Sequence, residues 1–150
     1  MTKVVLLDSG PLGKIAHRRA NPAITNWVRS LLAAGAKVVV PEIADYEVRR
    51  ELIRSSRIQS LAHLDRLKET LIYLPISTEA MLAAAQLWAD ARNRGRPTAG
   101  HESLDADAIL AGQANTCDFG RLPVIVASDN VQHLDQLTHA EYWHDILADG

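Results

Sequence analysis

Three stretches of the chain carry runs of β-branched apolar residues with no polar alternation: Val4 to Leu7, Lys37 to Pro41 and Leu122 to Ala127. Strands that are apolar on both faces belong in the middle of a parallel sheet, where helices cover them above and below. A shorter run, Leu71 to Ile76, predicts a further strand, and the apolar residues around Tyr142-Trp143 predict a last one at an edge.

Helical periodicity fills the intervals. After a turn at Ser9-Gly10-Pro11, Gly13 to Arg19 is a short amphipathic segment ending in His17-Arg18-Arg19. Asn21-Pro22 has the form of an N-cap followed by proline at the first helical position. The helix it opens runs through Trp27, Val28, Leu31 and Leu32 and stops near Gly35. Pro41 opens another from Glu42 to about Ser55, with Tyr46, Val48, Leu52 and Ile53 as its apolar stripe. Ile58 to Thr70 follows, with Leu61, Leu64 and Leu67 inward. Ser77 or Thr78 caps a helix from Glu79 to about Asn93 that turns Met81, Leu82, Ala85 and Trp88 inward, and Ser103 caps one reaching about Asn115. This succession predicts an α/β fold, a three-layer α/β/α domain over residues 1–150 with a four- to five-stranded, mainly parallel sheet.

Composition narrows the functional classes. A chain of 150 residues, 47% hydrophobic and 23% charged, is long enough for one core without disulfides or structural metals. No apolar run approaches the roughly 18 residues of a membrane span, and no signal-peptide pattern stands at the start, so the expected location is the cytoplasm. The single cysteine, Cys117, excludes an intramolecular disulfide and a cysteine-rich zinc site. With a net charge of −2, a polyanion would have to bind through local basic patches or through metal ions at an acidic site. The polar loop from Arg94 to His101, punctuated by glycine and proline, is a candidate gate.

Acidic residues stand where such a site would form. The first strand runs into Asp8 and the fourth into Ser128-Asp129, and ligands of open parallel sheets bind beyond the carboxyl ends of the strands. The plain alternative for Asp8 is a turn or a helix cap. On the helix after Ser103, Asp107 lies in an arc of Leu104, Leu110, Ala111 and Ala114, where a carboxylate is costly without a partner or a cation. Asp105, about 160° around the helix, reaches the same crevice only from the helix end, where the dipole alone would explain it. Glu47 falls opposite its helix's apolar stripe, beside Arg50, Glu51 and Arg54, as in a solvated face laced with ion pairs. No lysine stands in these segments to pair the acids. An all-oxygen cluster suits Mg²⁺ or Mn²⁺ and points to metal-dependent phosphoryl transfer.

Four segments together resemble the PIN-domain nucleases, specifically the toxin-like members of VapC type. They are Leu6-Leu7-Asp8-Ser9-Gly10-Pro11-Leu12, Pro41 to Leu52, Asp105 to Ala114, and Val126-Ala127-Ser128-Asp129-Asn130, in the family's order over about 125 residues. The resemblance implies that Asp8, Glu47, Asp107 and Asp129 form the family's acidic quartet, with Asp105 as a fifth ligand. It implies hydroxyl roles for Ser9 and Ser128 and phosphate contacts from Arg50 and Arg54, with Arg18, Arg19 and Arg57, or Arg92, Arg94 and Arg96 by the polar loop, as further candidates. Gly10 departs from the pattern, since many members have Asn there. The implied activity is Mg²⁺- or Mn²⁺-dependent hydrolysis of RNA by the toxin of a toxin–antitoxin pair, a homodimer held inactive by a small antitoxin.

Other readings meet specific objections. A phosphatase of the haloacid-dehalogenase type needs a second Asp where Gly10 stands, and a receiver domain needs paired acids and a lysine that are missing. The six histidines show no metal-binding helix spacing. A PIN-like fold kept as a non-catalytic RNA-binding or protein-interaction module stays open, though an idle cluster of like charges would only destabilise it.

Overall fold

The computed structural model describes residues 2–95 and 101–148, excluding the side chains of 101–103. Apart from its two ends, the polar loop from Arg94 to His101 lies outside the described residues. The strands are β1 (Val4–Leu7), β2 (Lys37–Pro41), β3 (Ile72–Leu74), β4 (Val124–Ser128) and β5 (Ala140–Tyr142). They pair in the order β3-β2-β1-β4-β5, every pairing parallel. β1 is central because all four of its residues are apolar and inaccessible, and both of its edges are hydrogen-bonded. The chain winds from β1 outward through β2 to β3, then crosses back to β4, so the topological switch point lies between β1 and β4.

The helices are α1 (Ser9–Ala16), α2 (Pro22–Ala33), α3 (Glu42–Arg54), α4 (Ile58–Thr70), α5 (Thr78–Asn93), α6 (His101–Thr116) and α7 (Val131–Leu134). Alternate strand residues face opposite layers. Val5, Leu7, Val38 and Val40 pack with Leu12, Val28, Leu31, Val48 and Leu64 on one side. Val4, Leu6, Val39 and Val126 pack with Ile43, Leu110 and Leu134 on the other. Each such fully buried side chain contributes about 1.5–3 kcal/mol, so the sheet ends that carry the acids stand on a rigid base.

Several helices differ from the sequence expectation. Ser9-Gly10-Pro11 opens α1 directly instead of forming a turn, because Asp8 is extended and its Oδ1 accepts the Ser9 N–H at 2.7 Å. On α3 the buried residues are Ile43, Ala44, Asp45 and Val48, while Tyr46 and Ile53 are 55% and 59% exposed. A carboxylate is tolerated inside because Arg49 donates to both Asp45 oxygens, at 3.1 Å each. On α5 the inward residues are Ala80, Ala84 and Ala91, and Met81, Leu82 and Ala85 face out. α5 packs on α6 so closely that a Cβ at Gly112 would collide with the Ala80 carbonyl oxygen. Only small residues fit there. Leu32 is likewise exposed on α2, α6 is already helical at His101 so that Ser103 lies within it, and α7 is an element that the sequence pattern did not predict.

Candidate metal centre

Four acids reach one cavity of about 240 Å³ at the carboxyl end of the sheet, beside the switch point. Asp8, Ser9, Gly10, Glu47, Asp107, Ser128, Asp129 and Asn130 line it. Asp8 and Asp129 follow the two strands that flank the switch point, while Glu47 comes from α3 and Asp107 from α6. The two helices are held in register by Gln113, which is fully buried. Its Oε1 accepts the Ile43 N–H at 3.3 Å and its Nε2 donates to the Leu74 carbonyl at 2.9 Å, tying α6 to the start of α3 and the end of β3.

Asp8 is both a helix cap and a site residue, so the two sequence readings of it coexist. Its second oxygen accepts from the Ser128 hydroxyl at 2.7 Å, and that hydroxyl accepts the Asn130 N–H at 2.9 Å. Burial raises the Asp8 carboxyl above its ordinary value, the two serine contacts oppose this, and the neighbouring Asp129 adds to it. Glu47 is raised to about 7, by burial first and then by Asp8 and Asp107, with Arg50 pulling the other way. Asp107 is raised to about 6 by burial and by Asp8, with His133 opposing. These couplings show the acids within each other's field. Glu47 therefore belongs to the cavity and not to a solvated face. Helical periodicity alone misplaces Glu47, because it counts the exposed Tyr46 and Ile53 into the apolar stripe of α3, whereas the resemblance names it among the acids.

Asp129 is held differently. Lys14 Nζ donates to its Oδ2 at 2.5 Å, and the Trp143 indole N–H donates to its Oδ1 at 3.1 Å. A lysine thus does pair with one of the acids, contrary to the sequence expectation. Starting α1 at Ser9 puts Lys14 one turn beyond Gly10, on the same face, and this phase was hidden when Ser9-Gly10-Pro11 was taken as a turn. Gly10 is part of the arrangement, since a Cβ there would lie 2.5 Å from Asp129 Oδ2. The seat of Asp129 is the space that an Asn side chain would need. Lys14, Trp143 and Gln113 are the site residues that the sequence reading missed.

The remaining candidates separate. Asp105 is exposed and lines a neighbouring cleft with Tyr46, Glu47, Arg50 and Ile109, not the four-acid cavity. Arg50 lies 3.9 Å from Glu47 and covers the Tyr46 ring, whereas Arg54 is paired with Glu51 on the outer face of α3.

Among the described residues no three His, Cys, Asp or Glu side chains are drawn together as a ready-made metal cage. Mutual repulsion and the pull of Lys14 on Asp129 give the physical reason. The donor set nevertheless fits a hard divalent cation: four carboxylates and two serine hydroxyls, with space for several waters at about 30 Å³ each.

No protein-family model matches the sequence, and no curated protein matches it. Solved structures do. A chain of VapBC2 from Rickettsia felis, bound to a DNA fragment from its promoter, superposes with a TM-score of 0.72 at 14% identity, over 93% of this chain and 98% of that one. FitAcB from Neisseria gonorrhoeae gives 0.68 at 17% identity, over 95% and 99%. DNA-bound VapBC from Salmonella typhimurium gives 0.66 at 20% identity, over 95% and 99%. With its all-parallel sheet, its helical layers and this match over nearly the whole length, the chain has the fold of a VapC-like PIN domain.

Proposed function

We propose that the chain is a Mg²⁺- or Mn²⁺-dependent ribonuclease, the toxin of a toxin–antitoxin pair. The observation that carries this reading is the meeting of Asp8, Glu47, Asp107 and Asp129, from four separate elements, on one cavity beside the switch point. Support for the toxin assignment comes from the structural likeness to VapBC proteins, another of which, VapBC-5 from Mycobacterium tuberculosis, is a member of a family of toxin–antitoxin systems. A small antitoxin and a homodimer complete the reading.

A divalent ion at this centre supplies activation of a water and charge balance on the phosphodiester. The chain's own residues do the rest. Ser128 and the Ser9 amide fix the Asp8 carboxylate so that it need not reorganise when a cation arrives. Glu47 and Asp107 would release protons on binding, because a cation offsets the burial and the neighbouring acids that raise them. Arg50 stands at the rim within reach of a phosphate, and the Ser9 side chain lines the cavity. Asp105, beside Glu47 and outside the cavity, acts at most on a second ion.

The test is cleavage of RNA by the purified chain, free of any partner, with Mn²⁺ and then with excess EDTA. Cleavage should appear with the ion and cease with the chelator; undiminished cleavage in EDTA rejects the reading. One observation favours a second reading, a non-catalytic interaction module. Lys14 is paired with one of the four acids. Absence of both cleavage and Mn²⁺ binding would select it.

A further inference from the structure

Two adjoining cavities, of about 440 and 350 Å³, lie where the end of α1 meets the start of α4. Arg18, Arg19, Arg57 and Arg66 line them together with His17 and His63, and no carboxylate does. This is not how the chain treats its other arginines in the region. Arg49 is bonded to Asp45 and Asp65, and Arg54 to Glu51. An ordinary solubilising surface intersperses both signs, whereas these four guanidinium groups have no ion-pair partner among the described residues.

The cleft is also built. The Arg18 N–H donates to the hydroxyl of buried Ser60 at 3.0 Å, and His63 Nδ1 lies 3.2 Å from the Ala16 carbonyl oxygen, so the turn carrying Arg18 and Arg19 is docked on α4. The opposite wall turns at Ser56, whose φ of 57° is in the left-handed region.

A further cavity of about 350 Å³ lies between this cleft and the acids: Ser9, Gly13, Glu47, Arg50, Glu51 and Leu52 line it between α1 and α3, it shares Ser9 and Glu47 with the four-acid cavity, and at its other end the Arg57 N–H donates to the Leu52 carbonyl at 2.9 Å. At Gly13 an added Cβ would meet nothing closer than Val48 Cγ2 at 3.8 Å, so the floor stays open. From Asp8 to His17 the helix advances about 14 Å at 1.5 Å per residue, a distance that a few nucleotides of a single strand cover and a dinucleotide does not.

We infer that the cleft formed by Arg18, Arg19, Arg57 and Arg66 binds backbone phosphates of a single polynucleotide strand that runs along the α1–α3 groove from the acid centre. The inference rests on the phosphodiesterase reading of that centre. It makes the cleft a distance gauge, engaged by substrates long enough to span the groove and skipped by shorter ones.

The experiment uses the full chain and fluorescein-labelled single-stranded RNA of two and of twelve nucleotides, with Arg18→Ala/Arg57→Ala as the test and Arg121→Ala, in the turn before β4, as the control. Both substituted arginines are exposed, and equal melting temperatures establish equal folding. Anisotropy in EDTA should show the double variant binding the twelve-mer about tenfold more weakly, with a salt slope smaller by about 1.4, which is about 0.7 for each lost phosphate contact. With Mn²⁺, KM for the twelve-mer should rise with kcat unchanged, and both constants for the dinucleotide should match the original. Equal salt slopes and equal KM for the twelve-mer overturn the inference while leaving the nuclease reading intact. An original chain that neither binds nor cleaves RNA overturns both. Unchanged RNA binding together with lost binding of poly-glutamate overturns it in favour of an acidic protein segment.

Discussion

The two ends of α1 carry opposite charges under opposite conditions, and the contrast separates stability from affinity. At the start of the helix Asp8, Glu47 and Asp107 are half-buried, and burial drives all three above their ordinary range, whereas Asp129 is exposed and paired with Lys14. At its end the arginines are exposed, and their charges stay in water. Charge held in a half-buried cavity strains the fold until a ligand arrives, whereas charge held on the surface waits at little cost. Substitutions at the acid end should therefore change melting as well as chemistry, and those at the basic end only the hold on substrate.

The largest break in that comparison is Asp107→Asn. Loss of residues that merely support a ligand costs about 10–100-fold, so loss of a ligand should cost more than about 100-fold in RNA cleavage. The same change should stabilise the cation-free protein at neutral pH. A carboxyl raised from 3.8 to about 6 carries roughly 3 kcal/mol of strain at about 1.4 kcal/mol per unit, an upper figure because the acids are coupled. Melts in EDTA measure this, and a lower melting temperature for the variant would show that Asp107 is not strained by its neighbours.

The pH dependence of stability follows with a definite sign. Folded Glu47 and Asp107 hold protons up to about 7 and 6, whereas the unfolded chain releases them at the ordinary values of 4.5 and 3.8. Their strain is full above about pH 7 and is relieved as pH falls through those folded values. Between pH 8 and pH 5 the cation-free protein should gain stability on the order of a few kcal/mol, and Glu47→Gln should gain less. With saturating Mn²⁺ the trend should reverse, since protons then compete with the ion. Identical pH curves for the original and Glu47→Gln in EDTA would count against the buried-charge account.

How much of this was legible in the sequence depended on what kind of signal each element gives. β1 and β4 were plain because a strand buried on both faces has to be apolar throughout, and Asp107 was plain because an acid among Leu104, Leu110 and Ala111 is anomalous. The phases of α3 and α5 were not. Periodicity weighs large apolar residues most, yet α5 turns alanines inward where α6 comes close, and α3 buries an aspartate clamped by Arg49. Lys14 escaped for a related reason: its place depends on where α1 begins, and Ser-Gly-Pro resembles a turn until Asp8 is known to cap it.

The smallest effect comes from Lys14→Ala. An ion pair with partners 49% and 37% exposed is worth at most about 1 kcal/mol. Freed from Lys14, Asp129 should let the centre take up Mn²⁺ up to about fivefold more tightly in calorimetric titration. Unchanged affinity would reduce Lys14 to a surface charge that happens to touch the site.

The central position of β1 sets the order in which the molecule acquires its chemistry. The first strand of the chain is completed on one side by β2, some thirty residues later, and on the other by β4, where Val4 pairs with Val124 and Asp8 meets the Ser128 hydroxyl across a sequence separation of 120 residues. A nascent chain emerging from the ribosome at about 5–20 residues per second can pair β1, β2 and β3 while Asp107 and Asp129 are still unsynthesised. Long-range strand pairing of this kind is the slow step of folding. The acid centre is thus completed late, and a chain released before β4 carries Asp8, Glu47 and Asp107 but lacks Asp129 and the Ser128 hydroxyl that holds Asp8.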